Sequence, residues 1–189
     1  TGLGTVDYRI TDELSDPEGL TEEYSTEQLL RLPEVPWCYA APTDLDLEPG
    51  PLPTFARKQF TFGCLNNFSR VNESGLALWA RVLHGVENSR LLLRCPTGAT
   101  QARTLRFLES QGIAPARVEL VGWTPSRAEF ERRFERMDIA LDPFPCNGGT
   151  TTCDTLWMGV PVLTQPGEVV VSRIGFSILS AAGLPEFVA

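Results

Sequence analysis

The sequence predicts a doubly wound, parallel α/β sheet of the Rossmann-like kind. Three observations carry that expectation. Five short apolar runs, near Phe60, Arg90, Val118, Asp138 and Val160, are each followed by a helix-length segment. The links between them are short, as strand–helix–strand crossovers require. The fourth run leads into Cys146-Asn147-Gly148-Gly149-Thr150-Thr151-Thr152-Cys153-Asp154. That is a glycine-threonine turn at the carboxyl end of a strand, where open α/β sheets take their ligands.

Taken in order, residues 1–56 show no sustained periodicity. Val6 to Ile10 reads as a short strand, and Thr26 to Arg31 as a short helix after Ser25. Pro33, Pro36, Pro42, Pro49, Pro51 and Pro53 then make an extended connector. This segment cannot bury a core on its own. From Phe60 to Leu65 the chain is strand-like, followed by the polar turn Asn66 to Arg70. Asn72 is a suitable N-cap for a helix through Val86, whose buried stripe would be Leu76, Trp79, Leu83 and Val86. Arg90 to Cys95 reads as a strand and Ala99 to Gln111 as a helix ending at Gly112. Val118 to Val121 is a strand that leads through Gly122 to Ser126 into a helix from Arg127 to about Arg136. Asp138 to Asp142 and Val160 to Thr164 are buried strands on either side of the glycine-threonine turn. Between them Thr150 to Thr152 cap a helix that stops at a left-handed Gly159. Ser172 to Ala182, with Gly183 behind it, is the last helix. Trp79 and Trp157 are read as core residues.

The turn offers anion binding. A helix start presents unpaired N–H groups and about half a positive charge, and Gly148 and Gly149 allow close backbone approach. The hydroxyls of Thr150, Thr151 and Thr152 add donors, and Asp154, one turn in, suits a sugar hydroxyl. A diphosphate joined to a ribose would use all three features. The alternative is that the threonines are only caps and Asp154 only complements the helix dipole. The turn by itself leaves both open.

Composition narrows the partners. The chain has 189 residues, 42% hydrophobic and 21% charged, an ordinary globular make-up. No window offers the roughly 18 apolar residues of a membrane span. The net charge of −8 argues against nucleic acid or an anionic membrane as partner. The excess lies in residues 1–56, with 12 acidic and 2 basic side chains, 2 − 12 = −10. Residues 57–189 hold 12 acidic and 14 basic, 14 − 12 = +2. Lys58 is the single lysine. Five cysteines form no CxxC pair and the sole histidine is His84, so no metal site is expected, and reduced thiols suit a cytoplasmic setting. The Walker phosphate loop, the dinucleotide GxGxxG and the GxSxG nucleophile elbow are all missing.

Several spaced segments resemble, in one order, a known family. They are Phe62 to Asn67, Leu78 to Leu83, Gly122-Trp123-Thr124-Pro125, Asp138 to Pro145, Asn147 to Asp154, Leu156 to Val162 and Ser172-Arg173, with Asp7 to Asp12 ahead of them. Together they are similar to the catalytic region of protein O-linked N-acetylglucosamine transferases, including bacterial and plant SPINDLY-like members. The resemblance implies the second lobe of a two-lobe (GT-B) glycosyltransferase, inverting and metal-independent. It would use UDP-N-acetylglucosamine as nucleotide-sugar donor and a protein or peptide hydroxyl as acceptor, with tetratricopeptide repeats preceding the lobes. Residues 1–56 would be the end of the first lobe and a proline-rich linker. Residues 57–189 would be the UDP-sugar-binding lobe, incomplete at its C-terminus.

By position, the resemblance implies that Thr150 and Thr151 receive the diphosphate and Asp154 the ribose. Asn67 and Arg70 would face the phosphates, Arg70 as the catalytic cation that neutralises the leaving UDP. Thr124 and Arg133 would lie near the uracil. The family has lysine where Arg70 stands and often a histidine at or near Phe130. The acceptor base falls outside these residues, so the chain alone is expected not to transfer sugar. A non-catalytic UDP-sugar-binding scaffold, or a transferase with another donor sugar or an asparagine acceptor, are the alternatives.

Overall fold

Two strands, each only five residues long, open the chain. The computed structural model describes residues 2–42, 45 and 47–189. Strand β1 (Tyr8–Asp12) pairs in parallel with β2 (Gln28–Leu32), Tyr8 opposite Gln28 and Ile10 opposite Leu30. The second of these was expected to be a helix. A six-residue stretch ahead of a proline is too short to nucleate one, and pairing with β1 supplies the backbone partners instead. What this segment buries is polar. Asp16 is fully buried against Arg9 and Thr21, and Arg31 Nε donates to its carbonyl at 2.6 Å. Tyr8, Ile10, Tyr24, Leu30 and Leu32 remain exposed. The segment leans on the rest of the chain, where Arg173 Nε donates to the Leu14 carbonyl at 2.8 Å.

Among the described residues the connector after Pro33 has no helix or strand until α1 (Pro53–Arg57); positions 43, 44 and 46 lie outside the described residues. Pro53 takes the first helical position, where its missing N–H costs nothing. Lys58 ends this helix in the left-handed region at φ 53°, the one non-glycine residue with positive φ among the described residues. Buried Asp138 then ties α1 to the sheet, accepting from Thr54 N at 2.9 Å and Thr61 N at 2.8 Å.

The main sheet has five parallel strands: β3 (Phe60–Cys64), β4 (Ser89–Arg94), β5 (Val118–Val121), β6 (Ile139–Leu141) and β7 (Val162–Leu163). Their order across the sheet is β5-β4-β3-β6-β7. Helices α2 (Glu73–Gly85), α3 (Ala99–Ser110), α4 (Arg127–Arg132), α5 (Thr150–Trp157) and α6 (Ile174–Ala181) fill the crossovers and the chain end. Burial on both sides follows from the period-two alternation of β4. Leu91 and Leu93 join Leu76, Trp79 and Leu83 of α2 and Leu108 of α3. Leu92 points the other way, to Phe134, Met137, Val162 and Leu179. Doubly wound architecture is therefore present as expected.

Local signals mostly decide where elements end. Asn72 caps α2, accepting from Gly75 N at 2.7 Å, and Ser126 caps α4, accepting from Glu129 N at 3.2 Å. Gly112 and Gly159 take positive φ, 80° and 75°, behind α3 and α5. Four expectations need correction. Val86 is 39% exposed because it is the C-cap of α2, where the backbone leaves the helix and the stripe with it. Trp157 is 50% exposed on the outer face of α5. The helix after Ser126 is α only to Arg132 and tightens into a 3₁₀ turn over Phe134–Arg136. The last helix begins at Ile174, after a 3₁₀ turn over Val170–Ser172.

Candidate functional site

The strand order reverses direction between β3 and β6, so their carboxyl ends open the crevice where such sheets bind ligands. The loop after β6 crosses that opening. Asp142, directly after the strand, is 7% exposed and accepts from Gly148 N and from Thr164 Oγ1, both at 2.7 Å. Asn147 is fully buried, its Nδ2 donating to the Pro143 carbonyl at 3.0 Å and its Oδ1 accepting from Gly175 N at 3.3 Å. These bonds fix the glycine turn from beneath. Gly148 has no room for a side chain, since a Cβ would run into Thr152 Oγ1, Asn66 Oδ1 and Asp142 Oδ1.

Gly149 is the N-cap of α5, and the threonines occupy its first turn instead of capping it. No threonine side chain bonds a free N–H there, because at helical spacing the three hydroxyls point in different directions. Thr150 is exposed at the mouth of the cleft. Thr151 is half-buried and its carbonyl accepts from Thr155 Oγ1 at 2.6 Å. Thr152 is 1% exposed, turned inward, with a buried hydroxyl that has no partner among the described residues. Cys153 N is the first to bond back, to the Gly149 carbonyl at 3.1 Å, which leaves the earlier N–H groups facing out of the helix start.

Three loops, those after β3, β5 and β6, meet at this end of the sheet. A 3₁₀ turn over Phe68–Arg70 follows β3, and Asn67 is its cap, accepting from Ser69 N at 3.1 Å. The turn delivers Arg70 to the glycine loop. Its Nη1 donates to the Asn147 carbonyl at 2.5 Å and to Cys146 Sγ at 2.8 Å. From the β5 side, Arg127 Nη2 reaches Asp154 Oδ1 of α5 at 2.7 Å. Thr124 and Arg133 form a separate unit on Glu129. Thr124 Oγ1 donates to Glu129 Oε2 at 2.6 Å, while Arg133 donates to Glu129 Oε1 at 2.9 Å and to the Gly122 carbonyl at 2.5 Å. Hydrogen bonding from Thr124, then from Arg133, holds the Glu129 carboxyl below its usual range. Phe130 lies 5.4 Å from the Arg94 guanidinium and 5.9 Å from that of Arg127, and meets Phe134 edge-on at 5.3 Å.

Asp154 is 2% exposed, and its Oδ1 takes a second donor, Tyr39 Oη, at 2.8 Å. Arg127 also pairs with fully buried Glu131 at 2.5 Å. Burial, then the Asp154 charge, raises the Glu131 carboxyl above its usual range. Tyr39, Arg127, Glu131 and Asp142 were not singled out from sequence. Asp142 carried a usable signal, a carboxylate at the very end of a strand beside the glycine turn. Tyr39 carried none, because its partner is 115 residues away.

Burial pushes the Asp142 carboxyl from 3.8 up to about 6, against the bonds from Gly148 and Thr164 and the Arg70 charge, which pull it down. Between those pH values the folded chain keeps a proton that the unfolded chain has lost. The group therefore adds stability as pH falls from 6 toward 3.8, and its ionisation costs about 3 kcal/mol at neutral pH. Asp142→Asn, neutral and of the same shape, is expected to melt several degrees higher than the parent at pH 7.5. The gain should vanish at pH 4, and an equal gain at both values would refute this account.

Among the described residues no group of three or more His, Cys, Asp or Glu side chains is placed to hold a metal ion, and no helix is long and apolar enough to cross a membrane. Comparison with known proteins gives a consistent set of relatives. Probable UDP-N-acetylglucosamine--peptide N-acetylglucosaminyltransferase SPINDLY from Petunia hybrida is 40% identical over 192 residues, covering 100% of this chain and 20% of that protein. The protein of the same description from Arabidopsis thaliana is 40% identical over 195 residues, covering 100% of this chain and 21% of that one. This chain thus spans about a fifth of the curated relatives it matches. A solved structure of a Thermobaculum terrenum O-GlcNAc transferase, a lysine-to-methionine mutant, superposes with TM-score 0.85 at 37% identity over 97% of this chain and 34% of that one. The family described as Glycosyl transferase family 41 matches residues 53–189, all five strands of the main sheet and the glycine turn included. On that match, which covers well over half its length, this chain belongs to glycosyl transferase family 41.

Proposed function

We propose that the chain is the donor-binding part of a transferase that moves N-acetylglucosamine from UDP-N-acetylglucosamine to Ser or Thr hydroxyls of proteins, by inversion and without a metal. Residues 57–189 form the donor lobe, and residues 1–56 are the end of the other lobe and its linker. The five unpaired thiols suit a cytoplasmic setting. The observation that carries the reading is the meeting of Arg70 with the glycine turn, a guanidinium bonded to Asn147 where the outward N–H groups of α5 begin.

In such a transfer the acceptor oxygen attacks the anomeric carbon from the face opposite the diphosphate, the C–O bond to UDP breaks, and the acceptor proton passes to a base. That base belongs to the part of the protein beyond this chain. What this chain supplies is the leaving-group side. The helix-start N–H groups and Arg70 meet the charge that develops on the departing β-phosphate. Preorganised donors of this kind do not have to reorient during the reaction. Asp154 takes the ribose, and the Thr124–Glu129–Arg133 unit lies toward the base.

Calorimetric titration with UDP in EDTA tests the reading. The chain should bind UDP equally with and without magnesium, and Asp154→Ala should weaken it about tenfold, the worth of one charge-assisted hydrogen bond. Binding that requires magnesium, or indifference to Asp154→Ala, would remove the assignment.

A further inference from the structure

Among its described residues the connector has no helix or strand between Pro33 and Leu52, yet part of it is pinned to the donor turn. Tyr39 Oη donates to Asp154 Oδ1 at 2.8 Å. The Trp37 ring lies on Gly149, its Cη2 only 2.7 Å from where a Cβ would stand. Glycine is therefore required at 149 by a side chain of the connector as well as by any ligand that approaches the backbone. Trp37 is 40% exposed, so part of the ring still faces outward. With Cys38, Tyr39, Arg127, Thr150 and Asp154 it lines a cleft of about 490 Å³.

We propose that Trp37 and Tyr39 of the connector are part of the donor site, and that the Tyr39 hydroxyl holds, in the empty state, the Asp154 oxygen that a ribose hydroxyl takes on binding. This rests on the function proposed above and adds the connector to it. The argument is one of exchange. Asp154 is 2% exposed, and Tyr39 and Arg127, both bonded to its Oδ1, line the cleft beside it, so a ligand hydroxyl coming from that cleft reaches the carboxylate by moving one of these two side chains aside. Arg127 has a second carboxylate, Glu131, to hold it in place. The Tyr39 hydroxyl has its bond to Asp154 and sits on a segment without helix or strand to restrain it. A phenol O–H and a ribose O–H are both neutral donors to a carboxylate, so the swap leaves the charge balance of the Asp154–Arg127–Glu131 group unchanged. Burial, and the bond to Asp154, push Tyr39 ionisation further up, so the phenol stays a donor at working pH.

Binding must then break the Tyr39 bond, and removing it in advance should help. Tyr39→Phe is expected to bind UDP about tenfold more tightly than the parent chain, measured by calorimetry in EDTA. Inorganic pyrophosphate, which has no ribose, should bind both proteins equally. The Trp37 contribution to fluorescence, taken as the difference from Trp37→Phe, should change when UDP binds. Unchanged or weaker UDP binding by Tyr39→Phe would overturn the proposal while leaving the donor-site reading intact. A matching gain for pyrophosphate would overturn it too, since the variant would then only loosen the turn. UDP binding by neither protein removes both readings.

Discussion

Arg70→Ala in the full-length protein is expected to lower the rate of sugar transfer by about 10²–10³-fold, or ~3–4 kcal/mol at the barrier. Breaking the glycosyl–phosphate bond places extra negative charge on UDP, and Arg70 is the side-chain cation held against the glycine turn. Its charge matters most after the bond has begun to break, so kcat should fall more than KM rises. Part of the loss would be positional, because the same guanidinium holds the Asn147 carbonyl. Arg70→Lys separates the two contributions. It keeps the charge but replaces a planar fork by a compact ammonium, so it should recover most of kcat while losing some of the grip on the turn. Transfer of labelled sugar to a peptide acceptor measures both variants. An alanine variant within threefold of the parent would place the charge compensation elsewhere.

The second large effect concerns the fold. Trp79→Ala should destabilise the chain by about 3–5 kcal/mol, read as a shift in the urea midpoint without a change in slope. Trp79 is 3% exposed and is packed among Leu76, Leu83, Leu91 and Leu93 at the face where α2 meets β4. Its removal leaves a cavity that neighbouring helix and strand atoms, fixed by their own backbone bonds, cannot close. Against the about 5–15 kcal/mol that holds a typical domain together, this is a large share of the total. A change under about 1 kcal/mol would show that α2 is not part of the cooperative core.

What was legible in the sequence was what local chemistry decides. The Arg90 to Cys95 run reads as a strand because it is apolar and short, and in the structure Leu91 and Leu93 bury on one face and Leu92 on the other. Asn72 announces α2 because a short side chain there can reach the Gly75 amide, and it does. The resemblance, and not local chemistry, is what put Arg70 beside the glycine turn, where Arg70 donates to the Asn147 carbonyl. What stayed hidden depends on partners remote along the chain. Gln28–Leu32 has the composition of a helix, and only the opposing β1 makes it a strand. Arg127 reads as one more charge on a basic helix until Asp154 and Glu131 close on it. The threonines were assigned as caps from residue type, whereas the turn brings Gly149 to that place one residue earlier.

Lys58 has a practical consequence. It is exposed at the end of α1, with its carbonyl held by Asn88 Nδ2 at 2.7 Å, and it is the only lysine in the 189 residues. Amine-reactive chemistry therefore finds one side-chain address in this sequence, and that address stands where the connector joins the first strand of the main sheet. A dye attached there would watch the connector from a fixed point on the scaffold, with all five native thiols left untouched.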